Sequence, residues 1–349
     1  MMYQSLGDTD LQVSKICLGT MTFGEQNTEA EAHEQLNYAI EKGVNFIDTA
    51  ELYAIPSRAY NQGLTEQYIG TWLKNRADRD QLVIASKIAG PRASLNYIRE
   101  QQGFSPENIR SALAGSLKRL QTDYLDLYQL HWPERRTNFF GYLEYKHAEK
   151  DPWQDNFLEI IQTLQSLQTE GKIRHWGISN ETPWGMMHYL HLAKLHGLPK
   201  PVSIQNPYSL LNRSFEIGLA EIAIREQTGL LAYSPLAFGM LTGKYHNGSG
   251  TKPKHSRLSL YGDEMTRYNG DISYQATTEY LKIAQEHGYS LAQMALAYVN
   301  SRRFVTSNII GATKMEQLEE NIASIELDLP KEVQKAIESV HRRYPNPAP

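Results

Sequence analysis

The sequence predicts an α/β fold: a single (β/α)8 barrel over residues 1–349, with an N-terminal β-hairpin, long loops at the C-terminal face of the strands and a C-terminal helix. Three observations lead there. Apolar runs of strand length alternate with segments of helical periodicity, and the alternation repeats eight times without a break in composition. The turn after the first barrel strand reads Gly19-Thr20-Met21-Thr22-Phe23-Gly24, which lacks the glycine spacing an open doubly wound sheet needs for its phosphate turn. The length of 349 residues, 41% hydrophobic and 21% charged, suits one barrel with insertions, since such barrels run to roughly 250 residues before insertions.

Taken in order, residues 3–13 alternate around Gly7-Asp8-Thr9-Asp10 and read as the hairpin. Strands follow at 16–18, 44–47, 82–87, 124–131, 173–178, 202–205, 229–233 and 305–310. Between them lie helices at 30–42, where Ala32, Leu36, Ala39 and Ile40 share a face and Gly43 is the stop, and at 65–75. The next helix opens on Ser105-Pro106-Glu107, a cap, a first-turn proline and a first-turn acid, with Ile109, Leu113, Leu117 and Leu120 as its stripe. Further helices are read at 156–170, 183–196, 215–225, 272–287, 291–300, 315–325 and 330–340, and the proline-rich end reads as a loose tail or a lid edge. Three connections are long, 54–63, 132–153 and 237–271; all follow strands, so all fall on one face of the barrel.

The net charge of −4 argues against nucleic acid as a partner, although a local cationic patch could still hold an anionic cofactor. Cys17 is the only cysteine, which excludes an internal disulfide and a thiolate-rich metal site; no metal is expected. The opening MMYQSLGDTDLQVS has no basic region followed by an apolar stretch, and no apolar run approaches the roughly 20 residues needed to span a bilayer. The expectation is a soluble cytoplasmic protein without a membrane partner.

Asp48, Tyr53, Lys87 and His131 stand at or just beyond the ends of three neighbouring strands, where a barrel brings distant residues together. A free phenol has a pKa of about 10 and gives up its proton reluctantly. A cation at roughly 4 Å and an effective dielectric of about 20 would stabilise the phenolate by on the order of 4 kcal/mol. Lys87 can be that cation, with Asp48 holding it charged, and His131 can orient a carbonyl oxygen. Singly, each has an ordinary structural explanation. Tyrosine occurs 21 times, histidine 11 times, and Asp48 suits a cap or turn; a lysine within Ala85-Ser86-Lys87-Ile88 is harder to dismiss. The joint placement suits carbonyl reduction and alcohol oxidation, and supplies no nucleophile.

The stretches Gly19-Thr20-Met21-Thr22-Phe23-Gly24, Phe46-Ile47-Asp48-Thr49-Ala50-Glu51-Leu52-Tyr53, Ala85-Ser86-Lys87, Asp123-Tyr124-Leu125-Asp126-Leu127-Tyr128-Gln129-Leu130-His131-Trp132, Gly177-Ile178-Ser179-Asn180, Tyr233-Ser234-Pro235-Leu236 and Gly311-Ala312-Thr313 together resemble the aldo-keto reductase signature. The resemblance runs from about Leu18 to Asn321 in family order. Asn206-Pro207-Tyr208-Ser209-Leu210-Leu211-Asn212-Arg213 and the long loop after His131 resemble the bacterial Tas-type branch.

The resemblance implies a barrel that uses NADP(H) without a dinucleotide-binding sheet, reducing aldehydes and ketones by hydride transfer. Tyr53 then matches the proton donor, Lys87 and Asp48 its tuning pair, and His131 the substrate-orienting residue. It implies a cofactor set that opens with Gly19, Thr20, Met21 and Asp48. In the same way Ser179, Asn180 and Gln205 match residues holding the carboxamide, with Tyr233 stacked under the ring. Ser234, Pro235, Leu236, Gly239 and Lys244 match the pyrophosphate stretch, and Arg257 a residue that closes over the cofactor. Gly311, Thr313, Lys314, Gln317, Glu320 and Asn321 match the adenosine end. Lys314 at a helix start opposes the helix dipole unless an anion sits there. Gln317 stands where many relatives carry an arginine for the 2′-phosphate.

Substrate contacts are expected from Phe23, Tyr53, His131 and Trp132, with Phe139, Phe140, Tyr142 and Tyr145 either walling an apolar pocket or meeting a second subunit. Arg135-Arg136 could attract a carboxylate or phosphate, or be solvated. The expected partner is a small-molecule carbonyl compound, and the sequence allows a homo-oligomer. Two rivals are open. A cofactor-binding redox sensor would need a partner surface outside the barrel. A metal-dependent barrel isomerase would need more carboxylates and histidines than Asp48 and His131, beside a lysine that opposes a cation.

Overall fold

Eight parallel strands close on themselves in the computed structural model, which describes residues 1–246, 252–263 and 266–349. A two-stranded hairpin comes first, β1 (Tyr3–Ser5) and β2 (Gln12–Ser14). The barrel strands are β3 (Ile16–Gly19), β4 (Phe46–Asp48), β5 (Val83–Ile88), β6 (Leu125–Leu130), β7 (Ile173–Ser179), β8 (Ser203–Pro207), β9 (Gly229–Tyr233) and β10 (Val305–Ile310). They pair in chain order, and β10 closes the ring between β9 and β3. The predicted (β/α)8 barrel with its N-terminal hairpin is the observed fold.

Helices α1 (Glu29–Glu41), α2 (Leu64–Leu73), α3 (Pro106–Leu120), α4 (Phe157–Thr169), α5 (Pro183–His196) and α6 (Leu219–Arg225) each separate two successive strands. A short α7 (Arg257–Tyr261) and the longer α8 (Asp271–Glu286) and α9 (Leu291–Asn300) lie between β9 and β10; α10 (Met315–Ala323) and α11 (Lys331–Arg343) follow. Local chemistry sets several starts. Thr28 and Glu31 form a reciprocal capping box on α1, and Ser105 accepts from Asn108 N ahead of the first-turn Pro106. Gly218, at φ 100°, divides the predicted 215–225 helix into a 3₁₀ turn, Ser214–Glu216, and α6.

Side chains alternate along each strand, so the two faces form two cores. Outward residues such as Leu18, Ile47, Ile84, Ile178 and Ile204 pack against the helices. Inward residues Cys17, Phe46, Val83, Ala85, Leu127, Leu231 and Ile309 fill the barrel, closed at its lower end by Leu6, Leu11 and Val13 of the hairpin. One step further along the inward face come Gly19, Asp48, Lys87, Gln129, Ser179, Gln205 and Tyr233. The barrel's top layer is therefore polar above a dry plug.

The C-terminal end is anchored rather than loose. Ala348 is buried in the main core and its N–H donates to Leu211 O at 3.0 Å, Asn346 Oδ1 accepts from Arg213 N at 2.6 Å, and Ser273 Oγ donates to Pro347 O at 2.8 Å. Backbone partners and apolar contact, absent from any composition-based reading, hold it. Of the third long loop, residues 247–251 and 264–265 lie outside the described residues. Among the described residues no helix is long and apolar enough to cross a membrane.

Candidate active site

Asp48 ends β4, Lys87 lies near the end of β5, His131 directly follows β6, and Tyr53 stands in the loop beyond β4. The fold brings all four together. Lys87 Nζ donates to Asp48 Oδ2 at 2.6 Å and to Thr49 O at 2.7 Å, wholly shielded from solvent, and lies 4.9 Å from the centroid of the Tyr53 ring. The Tyr53 and His131 rings meet edge-on at 5.8 Å, and His131 packs on Trp132 at 5.0 Å. The second Asp48 oxygen accepts from Gln205 Nε2 at 2.8 Å and Gln129 Nε2 at 3.3 Å. Three donors thus fix the carboxylate that faces the ammonium.

The electrostatics are set mainly by burial. Burial alone would lower Lys87; Asp48 and Tyr53 together outweigh it and lift the ammonium above its ordinary value. Burial pushes the Tyr53 phenol up, with Lys87 opposing and Asp48 reinforcing. The phenol therefore stays protonated through neutral pH, as expected of a proton donor, but burial rather than the lysine's charge sets the direction of its shift. Burial, aided by Lys87, holds His131 well below the usual imidazole range, so the ring is neutral and offers one donor. Its Nδ1 is buried with no hydrogen-bond partner among the described residues.

These groups open onto a cavity of about 970 Å³, at the upper end of the roughly 300–1,000 Å³ common for small-molecule sites. It runs from the loops after β9 and β10 to Tyr53, His131 and Trp132. Every residue matched to the cofactor lines it: Gly19, Thr20, Met21 and Asp48; Ser179, Asn180 and Gln205; Tyr233, Ser234, Pro235, Leu236, Gly239, Lys244 and Arg257; Gly311, Thr313, Lys314, Gln317, Glu320 and Asn321. Lys87 does not, lying fully buried behind Asp48 and Tyr53, which do line it.

The trough also suits an anionic dinucleotide chemically. A side chain at Gly239, where φ is 94°, would meet Lys244 Nζ at 2.9 Å, so the glycine leaves the amine its place. Burial and the neighbouring Arg257 push Lys244 down, and burial lowers Arg257 as well. Two cations crowd one wall here, and among the described residues no carboxylate pairs with either. Lys314 precedes α10 and is exposed. The Gln317 amide oxygen accepts from Thr313 N at 3.0 Å, tying the loop to the first turn of that helix.

The structure narrows three substrate-side expectations. Phe23 is fully buried in the main core and does not line the cavity, because its turn folds inward and its carbonyl accepts from Thr65 Oγ1 at 2.6 Å. Tyr142 and Tyr145 point to solvent, 75% and 57% exposed, while Phe140 reaches the cavity and packs on Trp132 at 5.9 Å. Arg135 attracts no substrate: it is buried, forks onto Glu181 at 2.6 and 2.5 Å, and lies over the Phe157 and Trp184 rings at 5.5 and 4.9 Å. This clamp joins the loop after His131 to the residue following Asn180.

Sequence reasoning missed Gln129, whose only signal is an amide at an inward position of an apolar strand. It also missed Leu52, Ile55, Leu95, Arg58, Arg92 and Arg267, loop residues that line the cavity without a periodic pattern.

Comparison with known proteins agrees with this geometry. The model of the Aldo/keto reductase family matches residues 15–342. The chain is 52% identical to Protein tas of Escherichia coli (strain K12) over 350 residues, covering 100% of both chains. It is 39% identical to the Aldo-keto reductase of Babesia bovis over 280 residues, 76% of this chain and 98% of that protein. It is 33% identical to the Uncharacterized oxidoreductase YrpG of Bacillus subtilis (strain 168), over 99% of this chain and 97% of that one. A match that spans all eight strands, on a barrel whose mouth gathers a phenol, a buried ammonium–carboxylate pair and an imidazole, means that the chain belongs to the aldo/keto reductase family, in its bacterial Tas-type branch.

Proposed function

We propose that this oxidoreductase reduces aldehydes and ketones to alcohols with NADP(H), with Tyr53 as the general acid. The observation that carries the reading is the buried Lys87–Asp48 pair set against Tyr53 and His131 at one end of a long cationic trough.

When bound, the nicotinamide supplies the hydride. The chain's own residues do the rest. The neutral His131 ring donates to the carbonyl oxygen and fixes its direction. Tyr53 transfers its proton to that oxygen as charge develops there, and the phenolate left behind faces Lys87. Asp48, held by Gln205 and Gln129, keeps the lysine charged. Run backwards, the same groups take the proton from an alcohol.

Ser179, Asn180 and Gln205 would hold the carboxamide and Tyr233 would underlie the ring. In this structure these groups bond to one another: Tyr233 donates to Asn180 Oδ1 at 2.6 Å, and Asn180 Nδ2 donates to His131 O at 2.9 Å. Lys244 and Arg257 would meet the pyrophosphate, and Lys314 the 2′-phosphate. With Gln317 engaged by Thr313, one exposed lysine favours NADP(H) over NAD(H) by a modest factor. The substrate is a small carbonyl compound lying against Trp132 and Phe140. The protein works in the cytoplasm without nucleic acid or membrane as a partner.

The test is an NADPH-consumption screen over aldehydes and ketones, run beside Tyr53→Phe. Native protein should turn over at least part of the panel, and the variant should lose 10²-fold or more in kcat while binding cofactor normally, on the order of a general-acid contribution. Equal rates would remove Tyr53 from the chemistry.

A further inference from the structure

The cavity wall carries three arginines that this chemistry does not use, Arg58, Arg92 and Arg267. Arg267 is the most telling. It lies in a 3₁₀ turn, Thr266–Tyr268, and borders the loop beyond His131, where a Cβ on Gly141 would meet Arg267 Cβ at 3.4 Å. Gly141 directly follows Phe140, the ring that packs on Trp132. The guanidinium lies over the Tyr268 ring at 4.7 Å and adjoins the Tyr233 hydroxyl, which is bonded through Asn180 to the His131 backbone. Arg267 thus borders the loop beyond His131, on the substrate side of the mouth, and is joined through Tyr233 and Asn180 to the His131 backbone.

Its Nη1 is buried with no hydrogen-bond partner among the described residues, and none of their carboxylates pairs with it. A buried charged donor left without an acceptor is costly, and such atoms in native structures call for a missing partner. Arg92 adds a second cation on the rim. It follows Pro91, whose carbonyl accepts the Trp132 indole N–H at 3.3 Å, and it is exposed beside Leu95 of the apolar wall. The substrate end thus combines an apolar floor with two positive side chains, one buried and one on the exposed rim.

We propose that the site selects carbonyl substrates bearing an anionic oxyacid group, a carboxylate or a phosphate, which Arg267 grips with its planar fork while Arg92 attracts it at the rim. This rests on the reductase reading above and names its substrate class. A neutral aldehyde would leave Arg267 Nη1 as it stands; an oxyacid oxygen would supply the acceptor.

The experiment compares kcat/KM within matched pairs: 4-carboxybenzaldehyde against methyl 4-formylbenzoate, and glyceraldehyde 3-phosphate against glyceraldehyde. The native chain should favour the charged member of at least one pair by about tenfold or more, mainly through KM, and the pair that responds identifies the oxyacid. Arg267→Gln should bring that charged-to-neutral ratio towards one, Arg267→Lys should keep part of it, and Arg92→Gln should lower it by a smaller factor. Turnover without any preference in the native chain would overturn this proposal and leave the reductase reading standing. No turnover of any member with NADPH or NADH would overturn both. If Arg267→Gln instead weakened NADPH binding in a fluorescence titration and slowed both members of a pair alike, the guanidinium would belong to the cofactor, and the proposal would fall.

Discussion

Lys87→Met separates the two contributions that the buried ion pair makes. The ammonium lies 4.9 Å from the centroid of the ring over which a Tyr53 phenolate would spread its charge. At an effective dielectric of about 20, a unit charge at that distance stabilises the phenolate by about 3.4 kcal/mol, a few hundredfold in acidity. Proton transfer is incomplete in the transition state, so the expected loss in kcat is smaller, roughly 10- to 100-fold, with little change in KM. In the alcohol-oxidation direction, where the phenolate is the base, the rate should rise with pH along a limb displaced upward from that of native protein. Stability must fall too. Asp48 would be left buried with the Gln129 and Gln205 amides as its remaining donors among the described residues, at a cost of about 3–5 kcal/mol. Asp48→Asn combined with Lys87→Met removes the uncompensated charge and should recover much of the melting temperature without recovering kcat. Steady-state rates, the oxidation pH profile and thermal melts of the three proteins together give the answer. A double variant that regained native kcat along with its stability would show the lysine to be scaffolding only, and the argument for an acid tuned by charge would fail.

Other consequences can be checked separately. Since burial holds His131 neutral well below pH 6.5, kcat/KM for reduction should be flat from pH 8 to 6; a step near 6.5 in a pH–rate profile would contradict this. The sign for stability follows from the same shift. Below about pH 6.5 the unfolded chain binds a proton at this residue that the folded chain refuses, so the residue destabilises the fold as pH falls. Arg135→Met should destabilise by about 3–5 kcal/mol in denaturant melts, because it leaves the buried Glu181 carboxylate unpaired, and Arg135→Met with Glu181→Met should restore most of it. Lys244→Ala should weaken dinucleotide binding and flatten its dependence on salt, read by fluorescence titration at two ionic strengths; an unchanged affinity would remove the lysine from the anion site.

Most of the architecture was legible because its signals are local. Period-2 and period-3.6 apolar patterns, the Ser105-Pro106-Glu107 start and the Thr28–Glu31 box each need only a few neighbouring residues to act. The strand ends placed Asp48, Lys87, His131, Gln205 and Tyr233 near one mouth, since a parallel barrel turns strand order directly into neighbourhood. Phe23 shows where this reasoning stops. It is close in sequence to Met21, which lines the cavity, yet its turn sends the ring into the core, and no alternation rule governs a turn.

The sequence by itself determined the barrel, the order of its strands and which phenol and which charged pair meet at its mouth, since these depend on patterns within single elements and on the family motifs around strand ends. Tertiary structure alone decided which polar groups are paired. Arg135 became a buried clamp on Glu181, the proline-rich end became a docked strap, Gln129 joined the carboxylate, and Arg267 kept a buried donor without an acceptor among the described residues. Pairing and burial depend on residues tens to hundreds of positions apart meeting at hydrogen-bond distance, and the free energy of a charge is set by those neighbours rather than by its place in the chain.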